Sequence, residues 1–393
     1  MSNPLYNTQI IFFALKEMTN LLIDCSYIEK AFVASGSLVI YAARLIQGFQ
    51  KYGHCRIHVL LWQEMEDTLD QFVGQKYEKI VLDRDKMFTS WRPYYRLLGV
   101  LPRQLKQELK IRNISTVLLP IHLFGFFYFS PPYRHYAIVH DLILYDNVKK
   151  ERGMLSYFIW HRYRSMLTKK FPHLISISKA THDELLRRDG KESEIVYNSI
   201  PFDFTDQELP IEDIIDKQYI LDVNRFHQTK NAELLIHAFS LIKNDIPHIL
   251  YLKGDHKCEK ERKELEKLSK ELGLSDRIVF DHSFRTEGEM RYLYSHADLF
   301  VSPSLQEGFG WTPIEAAVNK TPVLISNIEV LKEVSCNKIP TFDPHSPENL
   351  AKQILTTLQN PPSEQEKTDL AKFYMERYSL SHQIKQLEKI MGL

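Results

Sequence analysis

The stretch Ser302-Pro303-Ser304-Leu305-Gln306-Glu307-Gly308-Phe309-Gly310-Trp311-Thr312-Pro313-Ile314-Glu315-Ala316-Ala317 follows a short apolar run, Leu299–Val301, and leads straight into a helical pattern. Strand, glycine-bearing turn and helix in that order make one unit of an α/β fold. Gly308 and Gly310 let the backbone approach a ligand closely and take positive φ where the turn requires it. Thr312 reads as the N-cap, Pro313 as a first-turn residue and Glu315 as the carboxylate of a capping box. The N–H groups of such a first turn favour a nearby anion by roughly 0.3–1 kcal/mol, more when partly buried. A glycine turn before a capped helix also forms with no ligand, so by itself the turn fixes no function.

The same rhythm extends outward in both directions. Before it, strands are predicted at Tyr219–Val223, Ile249–Leu252 and Arg277–Phe280, with helices at Asn231–Ile242, Glu259–Leu272 and Glu287–Ser295. After it come the helix Pro313–Val318, a strand at Pro322–Ile325 and a helix at Pro347–Leu358. The first half repeats the pattern, with strands at Leu21–Cys25, Ile57–Leu61, Lys79–Leu82, Thr116–Leu119, Tyr136–His140, Leu174–Ile177 and Glu194–Tyr197, and helical patterns at Ser37–Lys51 and Thr181–Arg188. The polar, acidic segment from Pro201 to Lys217 is the expected linker. Ser379–Leu393 reads as a helix with Ile384, Leu387, Ile390 and Met391 on one side. The expected architecture is α/β, with two Rossmann-like domains facing each other across a central cleft where such sheets bind ligands. Residues 1–205, completed by the terminal helix 377–393, form the first domain, and residues 206–376 the second.

Composition narrows the function classes. In 393 residues, Lys+Arg and Asp+Glu both number 50, so no global charge favours nucleic acid. Cys25, Cys55, Cys258 and Cys336 lack CxxC spacing, which argues against zinc or a disulfide framework and for a reducing cytoplasm. No charged n-region precedes a long apolar run, and Leu118–Phe129 is too short and interrupted to span a bilayer. A cytoplasmic protein, at most peripheral at the inner face of the membrane, is expected.

Taken whole, the opening stretch resembles the signature of glycosyltransferase family 4, a retaining family of GT-B fold, and its mannosyltransferase-like branch. Glu307 and Glu315 bracket the Gly-Phe-Gly turn as the family's two glutamates do, and Lys320-Thr321-Pro322-Val323 follows as its "GTPV" element. The resemblance implies that Glu307 contacts hydroxyls of the transferred sugar and Glu315 the ribose. It further implies that the backbone of Phe309, Gly310, Trp311 and Thr312, with Gly308, holds the phosphates. Asn224-Arg225 and Lys230-Asn231 resemble the "GR…KN" element, with Asn224 in place of Gly, which carries a diphosphate-clamping role to Arg225 and Lys230. Two cations in one loop can stabilise the growing charge of a leaving phosphate. Lys253-Gly254-Asp255 resembles a GxG turn beside the nucleotide base, with Asp255 replacing the second glycine.

In the first half, Leu22-Ile23-Asp24 followed by Ser35-Gly36-Ser37 resembles the family's opening strand and loop, with Gly36 close to donor or acceptor. Val139-His140-Asp141 resembles its "HD" element, which implies a hydrogen bond from His140 to the donor sugar. Ser176-Ile177-Ser178 and Asn198-Ser199 match junctions that shape loops. The aromatic segment Phe124–Tyr136 suits either sugar stacking or a core. Lys149–Lys170 carries seven Lys/Arg against one Glu, interleaved with aromatics. It reads equally as a helix with one solvated basic face or as one lying on an anionic membrane.

The implied activity is transfer of a hexose-type sugar from a nucleotide diphosphate sugar to a saccharide or lipid-linked saccharide, as in polysaccharide biosynthesis. No cofactor is expected beyond that co-substrate, and the "HD" branch leans towards GDP-mannose, with UDP- or dTDP-sugars open. No metal is expected, because the only Asp-x-Asp spelling, Asp83-Arg84-Asp85, lies far from the donor motifs. A sugar-nucleotide epimerase of the same fold and a catalytically silent partner subunit are the alternatives.

Overall fold

Among the described residues, thirteen short strands, most of them rich in buried residues, build two wholly parallel sheets. The computed structural model describes residues 19–28, 37–83, 101–122, 126, 128, 132–202, 207–255 and 258–393, with backbone alone at 37, 143–153, 156, 157 and 160. Gly36, Arg84, Asp85, residues 1–18 and much of 124–136 therefore lie outside the described residues.

The first sheet contains β1 (Asn20–Asp24), β2 (Arg56–Trp62), β3 (Glu78–Leu82), β4 (Thr116–Leu119), β5 (Arg134–Val139), β6 (His173–Ser176) and β7 (Glu194–Ile195), in the order β3-β2-β1-β4-β5-β6-β7. The second contains β8 (Tyr219–Val223), β9 (Ile249–Lys253), β10 (Ile278–Asp281), β11 (Leu299–Ser302), β12 (Val323–Ser326) and β13 (Thr341–Phe342), in the order β10-β9-β8-β11-β12-β13. Near-continuous apolar runs such as those of β4 and β11 are what a sheet covered by helices on both faces requires. Each order reverses beside its first strand, so a crevice opens at the carboxyl ends of β1 and β4 and of β8 and β11. This is the two-domain GT-B arrangement.

Several elements escaped the sequence pattern. The helices Glu66–Val73, Arg103–Ile111, Glu329–Val334 and Glu364–Arg377 are short or mostly polar; Arg103–Ile111 buries only Leu105 and Leu109. Two-residue β13 is too brief to show a period. The basic segment belongs to a longer helix, Ile143–Lys170.

The terminal helix Leu380–Met391 buries Ile384, Leu387 and Met391 and packs on the helix Ser37–Tyr52 beside the first sheet. There Gln383 Nε2 donates to Tyr41 Oη at 3.4 Å, and the Glu388 carboxylate accepts from His54 N at 2.5 Å. The two sheets' layers also meet directly. Ser178 Oγ donates to Gly308 O at 2.9 Å, and the Glu333 carboxylate accepts from Lys179 N and Ala180 N at 2.5 and 2.9 Å, capping the helix Lys179–Asp189.

Candidate functional site

The loops after β8 and β11 leave the second sheet side by side, because these strands are neighbours at its switch point. Leu305 N donates to Thr229 O at 2.8 Å and ties the two loops together. Lys230 closes a short 3-10 turn, Gln228–Lys230, and its Nζ donates to Glu307 Oε1 at 2.5 Å. Ser304 Oγ donates to the same oxygen at 2.8 Å. Beneath them lies Asp222, buried at the end of β8, whose Oδ1 accepts from Asn224 Nδ2 at 2.6 Å. Burial pushes the Asp222 carboxyl up to about 7, against the lowering effects of the Asn224 hydrogen bond and the Lys230 charge. Asn224, standing where a glycine was expected, thus anchors this carboxylate.

Arg225 Nε lies 3.3 Å from Asp255 Oδ2, so the residue that replaces the second glycine of the GxG-like turn pairs with the loop cation. Gly254 does not line the cleft. A Cβ there would fall 2.2 Å from a ring carbon of Phe226, and the missing side chain seats that ring.

The turn into the helix Trp311–Val318 departs from its expected capping. Gly310 is the N-cap, in the left-handed region at φ 85°, and no side chain caps the helix. Thr312 is the second helical residue. Glu315 completes no capping box; its buried Oε2 accepts from Tyr294 Oη at 2.6 Å, behind the cleft wall. Burial raises the Glu315 carboxyl to about 7 despite that bond. The physical reason is the left-handed glycine: it turns the chain by itself and leaves the first-turn N–H groups without a side-chain acceptor. Phe309 is buried, edge-on to Tyr378 at 5.4 Å, so it holds the turn from below. Trp311 Nε1 donates to Ser199 O at 3.1 Å across the cleft.

From the first sheet, His140 follows β5 and meets Tyr41 edge-on at 4.6 Å. Its Nε2 lies 2.8 Å from Pro120 O. A carbonyl only accepts, so Nε2 carries the proton and Nδ1 is left as an acceptor. Burial holds the imidazole down at about 4, hence neutral at physiological pH. His140, Asp141, Arg225, Lys230, Glu307 and the residues Gly308 to Thr312 all line one cleft of about 560 Å³.

Residues 205–372 match the family model described as glycosyl transferases group 1. Over those residues, fewer than half of the 393, the chain is similar to that family. The serotype-specific mannosyltransferase WbdA of Escherichia coli is 26% identical over 231 residues, covering 56% of this chain and 28% of the relative. The O-antigen chain mannosyltransferase RfbU of Salmonella typhimurium is 32% identical over 183 residues, covering 44% and 47%. The chain thus spans less than half the length of these curated relatives. Anabaena Alr3699/HepE in complex with UDP superposes with a TM-score of 0.70 at 17% identity, over 95% of this chain and 100% of the other, a likeness of fold.

Within this site, sequence reasoning missed residues that act from strand ends or from the partner layer. Asp222 and Tyr294 sit in apolar runs and look like core positions. Glu333 lies in a helix too short to show a pattern. For Asn224 a signal existed: a departure from the family glycine, with an amide able to reach two residues back.

Proposed function

We propose that the chain is a retaining, metal-independent glycosyltransferase that moves a hexose-type sugar from a nucleotide diphosphate sugar to a saccharide or lipid-linked saccharide. One observation carries the reading. Arg225, Lys230 and the uncapped N-terminus of the helix Trp311–Val318 face a single cleft that also holds Glu307 and, from the opposite sheet, His140. Cations and helix N–H groups gathered at one wall suit a pyrophosphate whose charge grows as it departs. Glu307 Oε1 is engaged by Lys230 and Ser304, which suits a carboxylate that orients hydroxyls rather than one that attacks the anomeric carbon. Neutral His140 offers Nδ1 to a sugar hydroxyl.

In the proposed step the bond from the anomeric carbon to the phosphate oxygen breaks. The acceptor hydroxyl attacks from the same face, and its proton passes to the departing phosphate oxygen. Arg225 and Lys230 supply the charge stabilisation that a metal supplies elsewhere. GDP-mannose is the favoured donor, supported by relatives named as mannosyltransferases; UDP-sugars are the second choice, supported by the UDP complex of HepE.

The membrane reading rests on the helix Ile143–Lys170. Met154, Leu155, Phe158 and Ile159 are exposed on it, with Arg162, Lys169 and Lys170 also at the surface. An apolar stripe flanked by cations fits the headgroup boundary of an anionic bilayer at the cytoplasmic face. Among the described residues no helix is long and apolar enough to cross a membrane.

The test is product analysis with GDP-mannose, UDP-glucose and dTDP-glucose, each with a mannoside acceptor in chelator. Acceptor-dependent release of nucleoside diphosphate with retained anomeric configuration is expected, with near-complete loss in Glu307→Ala and Lys230→Ala. Strict dependence on a divalent metal, or inversion, refutes the mechanism. Donor turnover without acceptor would mark an epimerase, and binding without turnover a silent subunit.

A further inference from the structure

Asn198 follows β7 on the first sheet's side of the cleft. Its side chain is 1% exposed, yet among the described residues neither Oδ1 nor Nδ2 finds a hydrogen-bond partner. It nevertheless lines the same cleft as His140 and the Gly308–Thr312 turn. A loose loop does not explain this. The next residue accepts from Trp311 Nε1 at 3.1 Å through Ser199 O, and Ile200 N donates to Tyr378 O at 3.0 Å. The backbone just after Asn198 is therefore tied to the second sheet's layer, while among the described residues the carboxamide's own polar atoms lack partners. Buried polar groups are almost always paired, and one left unpaired at a cleft wall points to a partner that arrives from the cleft.

The chemistry of that partner follows from the group. A carboxamide presents one acceptor and two donors in a plane and carries no charge. It matches neither phosphate nor carboxylate, but it matches adjacent hydroxyls, each of which donates and accepts. His140 nearby offers a neutral acceptor.

We infer that Asn198 is a sugar-recognition residue whose carboxamide hydrogen-bonds vicinal hydroxyls of a sugar ring lying between His140 and the Gly308–Thr312 turn. The inference deepens the proposed transfer reaction and rests on it. The ring belongs to the donor or to the acceptor, and the experiment separates these.

Asn198→Leu keeps similar volume and removes the orphan dipole; Asn198→Ala serves as a second variant if Leu packs badly. Without ligand, Asn198→Leu should melt roughly 2–4 °C higher, because an unpaired buried amide is gone. GDP and UDP should stabilise variant and wild type equally. If the ring is the donor's, the extra stabilisation of wild type by GDP-mannose over GDP (or UDP-glucose over UDP) disappears, and kcat/KM for donor falls roughly ten- to a hundredfold. If it is the acceptor's, donor shifts stay intact and KM for methyl mannoside rises by a similar factor. A lower melting temperature in both variants, with kcat and both KM values unchanged, overturns the inference and makes Asn198 structural. Wild type that binds none of these nucleotides overturns the transfer reading itself, and the inference with it.

Discussion

A single methyl group at position 308 tests how the two halves of the site are held together. A Cβ on Gly308 would lie 2.5 Å from His140 O and 3.1 Å from Asp141 Cβ. The nearer distance is about 0.9 Å short of ordinary contact, and a backbone carbonyl cannot rotate away as a side-chain tip can. Gly308→Ala must therefore push the turn and the end of β5 apart by close to an ångström. The Ser178 Oγ to Gly308 O bond, 2.9 Å long, stretches or breaks in the process. Overpacking of this kind costs about 1–3 kcal/mol, and the lost hydrogen bond about 0.5–1.5 kcal/mol. The larger effect falls on turnover, because Lys230 and Glu307 on one side and His140 on the other are displaced together. A misplacement of about 1 Å can cost roughly a hundredfold in rate. The assay is steady-state transfer beside thermal melting. The expected result is kcat/KM lower by about two orders of magnitude, with a melting temperature lower by only several degrees. An alanine variant with wild-type kinetics would refute the close approach.

Two further outcomes follow from the same structure. Asp222 has a folded-state pKa raised from 3.8 to about 7, so the folded protein binds its proton more tightly, and this contribution is lost as pH rises through about 7. Asp222→Asn should therefore gain stability relative to wild type as pH rises from 5 to about 7 and level off above that, by roughly 3 kcal/mol at 1.36 kcal/mol per unit. Denaturant titrations across that range check it, and a difference flat in pH would contradict the buried carboxylate. On the long basic helix, Leu155→Asp with Phe158→Asp should abolish flotation with anionic vesicles without changing turnover of a soluble acceptor. Unchanged flotation would count against the membrane face.

Legibility varied by residue for physical reasons. Apart from two-residue β13, the strands of both sheets were visible because parallel strands covered on both faces are largely apolar. The segment from Glu307 to Glu315 was visible because turn glycines and a helix start are local chemistry. Its capping was misread: a left-handed Gly310 replaced the Thr312 cap, and Glu315 turned inward to Tyr294. Local sequence offers a carboxylate two partners, a backbone N–H three residues away or a phenol 21 residues away, and only packing chooses between them.

What the sequence determined alone is the alternation of apolar runs and helical periods, and with it two parallel sheets and the loops that end in chemistry-bearing residues. These depend on contacts within a few residues and on the period of each element. The pairing of Lys230 with Glu307, the seating of Gly308 against His140 and the stranding of the Asn198 amide in the cleft were decided by tertiary structure. Each joins residues from 58 to 168 positions apart. Their meeting depends on strand order and on how one sheet layer rests against the other, neither of which is written in any short stretch of chain.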